Sequence, residues 1–191
     1  DLLIYGDTHT MERDFHEKAT GLGFQFSDPY LYDGLGFAGV PRAVQCADDN
    51  DWLGECSDLS ICVMAGSTHK DILSHIFPRQ RLISTVNRED YLRAFANGTC
   101  LVIAGEQNQV TRMGGNQENY AYGRKKLSKE PLAMVTRKDD QSWSDLCNWI
   151  LRALVHAERM NITRNNAREM LPPDLPFVAV LEEVGNYGEI W

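Results

Sequence analysis

The chain has 191 residues, a formal charge of −8, and 43% hydrophobic against 24% charged residues. That length can bury a core and falls between one domain and two small ones, with the composition of a folded protein. The acidic balance argues against a nucleic-acid partner, because phosphate binding needs a surplus of Lys and Arg on one face, and the longest basic run is Arg124-Lys125-Lys126.

No apolar stretch reaches the roughly 20 residues that cross a bilayer, so membrane insertion is not expected. The N-terminus shows no signal-peptide pattern, as expected of a processed chain or a trimmed piece. Leu2-Leu-Ile-Tyr5, ended by Gly6-Asp7, predicts a buried strand. Residues 22–40 are rich in Gly, Phe, Tyr and Pro, and predict extended segments and turns. Gly34, Gly36 and Gly39 spell a dinucleotide-binding fingerprint, but Pro41 follows at once and no helix is expected there to hold a pyrophosphate. That reading is rejected.

From Leu59 the pattern is regular. Leu59-Ser-Ile-Cys-Val-Met64 predicts a strand, Gly66-Ser67-Thr68 a turn, and His69 to Phe77 a helix with Ile72 and Ile76 inward. Arg81 to Val86 predicts a second strand. Asn87 then caps a helix, with Asp90 three positions on and Gly98 just past its end. Cys100-Leu-Val-Ile-Ala104 predicts a third strand, and this β-α-β-α-β order implies a parallel sheet. Residues 107–128 are polar and lack periodicity. Pro131 to Thr136 predicts another strand, and Ser142 with Asp145 forms a capping-box pattern. The helix it opens carries Trp143, Leu146, Ile150, Leu154 and Ala157 at helical spacing, which predicts that they face inward. Pro172-Pro173 breaks the chain before the apolar segment Phe177 to Val184.

Five cysteines are many for a cytosolic protein of this size. Cys46 and Cys56 flank an acidic loop at a spacing that a disulfide could close, and Cys62 and Cys100 lie in apolar runs that adjacent strands could pair. The plainer alternative is that all five are buried thiols, since free Cys packs as a small hydrophobe. Cys147, on a Trp- and Leu-rich helix, is a packing residue. Asn97-Gly-Thr99 and Asn161-Ile-Thr163 are sequons, a pattern common by chance.

The five histidines form no metal-ligand spacing, and no Gly-x-Ser-x-Gly nucleophile elbow is present, so no catalytic residue, metal or cofactor is expected. What remains suits a small anion. Thr8 and Arg13 follow the first strand, and Gly66-Ser67-Thr68 sits where a strand enters a helix N-terminus. A guanidinium matches a carboxylate in two hydrogen bonds, and a helix start offers N–H groups with a favourable dipole. The plainer alternatives are a surface ion pair for Arg13 and an N-cap for Ser67 or Thr68.

Seven stretches, in order, resemble the polar-amino-acid family of periplasmic solute-binding proteins, in particular its general L-amino-acid binders. They are Thr8-His-Thr-Met-Glu-Arg13-Asp14, Asp28-Pro-Tyr-Leu-Tyr-Asp-Gly-Leu-Gly-Phe37, Cys62-Val-Met-Ala-Gly-Ser-Thr68, Asn97-Gly-Thr-Cys100, Leu127-Ser-Lys-Glu-Pro-Leu132, Gln141 through Glu158, and Val184-Gly-Asn-Tyr-Gly-Glu-Ile190. The resemblance implies an extracytoplasmic α/β protein of the two-lobed type II fold with parallel-type sheets and a ligand held between lobes. Lobe one would be residues 1–41 and 127–191, and incomplete; lobe two would be residues 42–126. It further implies a Cys62–Cys100 bridge and a non-enzymatic role in binding a free amino acid or related zwitterion. Thr8 and Arg13 would hold the carboxylate, Gly66, Ser67 and Thr68 would meet it from lobe two, and Glu106 would face the ammonium group.

Three departures stand out. The family begins well upstream of Asp1, Glu106 replaces the family's Asp, and the loop between Cys46 and Cys56 is an insertion with no assigned role. An incomplete lobe one exposes sheet edges, which predicts a covering partner: a second copy of the chain or an upstream segment. The competing expectation is the same fold with its pocket lost, acting in self-association or as an interaction domain of a larger surface protein. An enzyme on this scaffold would have only Glu106 as a general acid or base.

Overall fold

The computed structural model describes residues 2–4, 7–15, 23–113 and 120–190. It divides into two compact units, residues 32–131 and residues 1–31 with 132–191. The chain passes between them within two strands, β2 (Phe24–Asp33) and β8 (Glu130–Arg137).

The 32–131 unit is a five-stranded sheet with helices on both faces. In chain order it holds β3 (Leu35–Gly39), α2 (Pro41–Asp48), β4 (Ile61–Met64), α3 (Thr68–Ile76), β5 (Leu82–Thr85), α4 (Arg88–Ala96), β6 (Val102–Glu106), α5 (Gln107–Met113) and β7 (Ala121–Tyr122). The strand order is β5-β4-β6-β3-β7. Side chains alternate across each strand, so a sheet covered on both faces needs continuous apolar runs. Leu35, Phe37, Ile61, Val63, Val102 and Ala104 pack under α2 and α3 with Val44, Leu73 and Phe77, while Cys62 and Ile103 meet Tyr91 and Val110 of α4 and α5. Each fully buried side chain of this size contributes about 1.5–3 kcal/mol.

The expected β-α-β-α-β unit is present, and β4 pairs in parallel with both β5 and β6. The sheet as a whole is mixed, because β3 runs antiparallel to β6 and β7. On the first core face Leu73 is the fully buried residue of α3, with Ile72 and Ile76 partly buried beside it. A helix does begin at Pro41, contrary to the expectation, because Pro at the first position already has a helical φ. The dinucleotide reading still fails, since antiparallel β3 cannot open a parallel β-α-β unit.

Both disulfides form, Cys46–Cys56 and Cys62–Cys100. The first closes the acidic loop, whose structural role is now visible. Trp52 packs edge-on against Phe77 with ring centroids 5.6 Å apart. Asp48 Oδ2 accepts from the Arg124 N–H at 2.7 Å, and Lys125 Nζ donates to the Asp48 carbonyl at 2.8 Å. Gly123 permits this approach, since a Cβ there would stand 2.7 Å from Asp48 Oδ1. The loop therefore anchors the segment that leads into β8.

The second unit has a three-stranded sheet in the order β1-β8-β2, where β1 is Leu2–Leu3. It also holds α1 (Met11–Phe15), α6 (Gln141–Arg159), α7 (Ala167–Met170), α8 (Pro176–Val184) and α9 (Tyr187–Ile190). Its core comprises Phe26, Ala133 and Val135; then Tyr30, Leu132 and Leu151; then Ala157, Ile162, Ala167, Val178 and Leu181.

Three expectations are corrected here. β1 is exposed, not buried, because it lies at the edge of the sheet; Tyr5 and Gly6 lie outside the described residues. The cap of α6 is Asp140, whose side chain accepts from the Trp143 N–H at 2.9 Å, and Ser142 lies inside the first turn. On α6 the buried residues are Ser144, Cys147, Leu151 and Ala157, whereas Trp143, Leu146 and Ile150 are exposed. At about 100° per residue, the apolar arc of α6 is wider than the sheet covers, and its pattern gives both stripes equal weight.

Candidate ligand-binding residues

In the 32–131 unit the candidate site grows from the step between β4 and α3. Gly66 has φ +72, a backbone that L side chains rarely adopt, and it turns the chain sharply into the helix. Ser67 is the N-cap: its Oγ accepts from the Lys70 N–H at 3.2 Å and donates to the Met64 carbonyl at 2.7 Å. Thr68 opens the helix, and its Oγ1 donates to Glu130 Oε2 at 2.5 Å.

Glu130 is the centre of a buried network. Its other oxygen accepts from Ser128 Oγ at 2.7 Å and faces His69 Nε2 at 3.2 Å. Both Glu130 and His69 are 5% exposed. Burial by itself would raise the Glu130 carboxyl, but His69, Ser128 and Thr68 together outweigh it and hold the group well below the usual carboxylate range. Glu106 ends β6, within electrostatic reach of His69, Glu130 and Asp33. Burial raises its carboxyl, His69 opposes that, and the neighbouring carboxylates Glu130 and Asp33 push it further up. Asp33, 1% exposed, accepts from the Asn108 N–H at 3.1 Å and faces Lys126 Nζ at 3.3 Å.

In the other unit, Thr8 is buried and bridges to Leu132 beside β8. Arg13, on α1, donates from Nη1 to the Thr8 carbonyl at 3.0 Å. Its backbone N–H is bonded to Thr10 Oγ1 at 3.2 Å. Asp7 lies close by; burial raises its carboxyl and the Arg13 charge opposes this. His9 stacks on Phe26 at 4.4 Å, and Asp14 meets Lys138 at 3.0 Å.

Of the residues singled out from sequence, Thr8 and Arg13 thus come together directly. Gly66, Ser67 and Thr68 come together by chain position, and Glu106 stands near the His69–Glu130 pair that adjoins Thr68. Sequence reasoning missed Glu130, His69, Ser128 and Asp33. No spacing signal could have found Glu130, because Thr68 lies 62 positions away.

No protein-family model matches the chain. It is 28% identical over 222 residues to the general L-amino acid-binding periplasmic protein AapJ of Rhizobium johnstonii, covering 100% of this chain and 62% of that protein. It is 30% identical over 177 residues to the glutamate/glutamine/aspartate/asparagine-binding protein BztA of Rhodobacter capsulatus, covering 89% and 49%. A solved periplasmic binding protein of an ABC transporter from Brucella ovis, with glutathione bound, superposes with a TM-score of 0.80 at 26% identity, over 100% of this chain and 66% of that one. The chain has the type II periplasmic-binding-protein fold, and the curated relatives it matches are periplasmic amino-acid-binding proteins. It spans between 49% and 62% of the length of these two curated relatives.

Proposed function

We propose that the chain is an extracytoplasmic solute-binding module that takes a free amino acid or a related small zwitterion and performs no chemistry on it. In the 32–131 unit, the turn at Gly66, Ser67 and Thr68 offers backbone N–H groups to the ligand's carboxylate and Glu106 faces its ammonium group; in the other unit, Thr8 and Arg13 are the carboxylate-binding candidates. The observation that carries this reading is the pairing, within one unit, of a helix start with a nearby carboxylate. The start of α3 supplies N–H groups for an oxyanion, and Glu106 supplies a charge for a cation. The ligands in the names of AapJ, BztA and the Brucella protein, amino acids and glutathione, share that zwitterionic chemistry. Two disulfides suit an oxidising compartment.

A thermal-shift screen against the twenty L-amino acids and glutathione tests this. Binding to the folded state alone adds about 2.7 kcal/mol at 100-fold excess over Kd, so the midpoint should rise for one ligand class and the rise should vanish in Arg13→Ala. Flat curves throughout would overturn the reading.

A second reading, association through this fold, is favoured by one observation. Most of the exposed large apolar side chains among the described residues lie in the unit formed by residues 1–31 and 132–191, with Trp143, Leu146, Trp149 and Ile150 clustered on α6. A second copy of the chain, or an upstream segment, is the covering partner in this reading. Sedimentation of the purified chain as a monomer at all concentrations would remove the second copy.

A further inference from the structure

Both hydroxyls at the start of α3 donate inward. Ser67 donates its hydroxyl hydrogen bond to the Met64 carbonyl, and Thr68 donates its own to Glu130. A hydroxyl has one proton and two lone pairs, and an ionised carboxylate only accepts. So neither side chain retains a proton for a ligand oxyanion, and what Thr68 Oγ1 still offers is a lone pair. An oxyanion here must bond the backbone N–H groups alone.

We infer that Glu130 is a positioning residue that fixes the Thr68 hydroxyl as an acceptor, so that Thr68 and Glu106 together read the N–H donors of a ligand's amino group. The inference rests on the amino-acid-binding reading and deepens it. Glu130 is well suited to the task because it is itself held by Ser128 Oγ at 2.7 Å, stands 3.2 Å from His69 Nε2, and is 5% exposed. It does not touch the ligand; it decides which way one hydroxyl points. In Glu130→Gln the amide can donate to Thr68 Oγ1, which frees the hydroxyl proton and reverses the polarity of the contact.

The consequence is a change in selectivity, not simply in affinity. A 2-hydroxy acid has the shape of the amino acid but lacks the charge and the extra donors. After the twenty-amino-acid screen, calorimetric titration compares L-glutamate with L-2-hydroxyglutarate, and L-leucine with L-2-hydroxyisocaproate. Wild type should prefer the amino acid, and Glu130→Gln should shrink that preference about tenfold, the size of one charge-assisted hydrogen bond. Thr68→Ser should keep the preference, and Thr68→Val should lose it with Glu130 intact, which covers the case in which Glu130→Gln fails to fold. A folded Glu130→Gln that weakens amino and hydroxy acids equally would overturn the inference while leaving amino-acid binding in place. If no amino acid binds wild type, the binding reading and the inference fall together.

Discussion

His69 Nε2 stands 3.2 Å from Glu130 Oε1, and the two side chains bury each other between the start of α3 and the start of β8. Glu130 titrates below its ordinary value of 4.5 in the folded chain. The unfolded state therefore binds the proton first as pH falls. Stability from this group is fully present above the unfolded value and is lost as pH drops from 4.5 through the folded value. Glu130→Gln should cost about 1–3 kcal/mol at pH 7, the usual result of leaving buried hydrogen-bonding groups unsatisfied. The gap to wild type should narrow at acid pH. Urea denaturation at several pH values checks both statements.

Glu106 has the opposite sign. Its folded value lies above 4.5, so the folded chain holds the proton longer than the unfolded one, and the group's contribution falls as pH rises through that range. Glu106→Gln should raise the melting temperature at neutral pH and leave it unchanged at pH values where both states are protonated. It should also abolish any amino-acid-dependent shift. A variant that is destabilised at neutral pH would contradict the assignment of burial as the dominant influence.

Much of this fold is legible in the sequence, for a physical reason. β4, β6 and the helices around them are local, strongly patterned and buried on both faces, so Ile61, Val63, Val102 and Ile103 signal strands without help from distant residues. The capping of α4 by Asn87 is equally local, with Asn87 Oδ1 accepting from the Asp90 N–H at 2.8 Å. The site is less legible. Gly66, Ser67 and Thr68 announce a helix start, but the network that gives Thr68 its polarity closes between residues distant in sequence. The inward face of α6 is not legible, because periodicity shows which residues share a stripe and not which stripe a sheet will cover.

The two disulfides should differ in their effect on stability. Cys46–Cys56 spans 10 positions and Cys62–Cys100 spans 38. Loop-closure entropy assigns them about 3 and about 4 kcal/mol respectively. The Cys46→Ala/Cys56→Ala pair should therefore lower unfolding free energy less than Cys62→Ala/Cys100→Ala, and in the former the loop that anchors Arg124 and Lys125 should become protease-sensitive first. Denaturant titration of both double variants, with timed proteolysis of the first, measures this. An equal loss in the two would mean that packing around the sulfurs outweighs chain entropy.

The exposed stripe of α6 separates packing from association. Leu146 is 51% exposed and Ile150 is 41% exposed, while Cys147 and Leu151 on the neighbouring stripe are 5% and 7% exposed. If Leu146 and Ile150 lie at a free surface, Leu146→Glu with Ile150→Glu should change the unfolding free energy by about 0.5 kcal/mol or less per site. Large losses, about 2–5 kcal/mol per residue, belong to core positions such as Leu151→Ala. The same double variant should bind less of a hydrophobic dye and sediment with a lower apparent mass wherever wild type self-associates, because apolar patches of this kind drive association. A stability loss of core size from the double variant would show that something covers the stripe in solution. Unchanged sedimentation of a self-associating wild type would move the contact to another face.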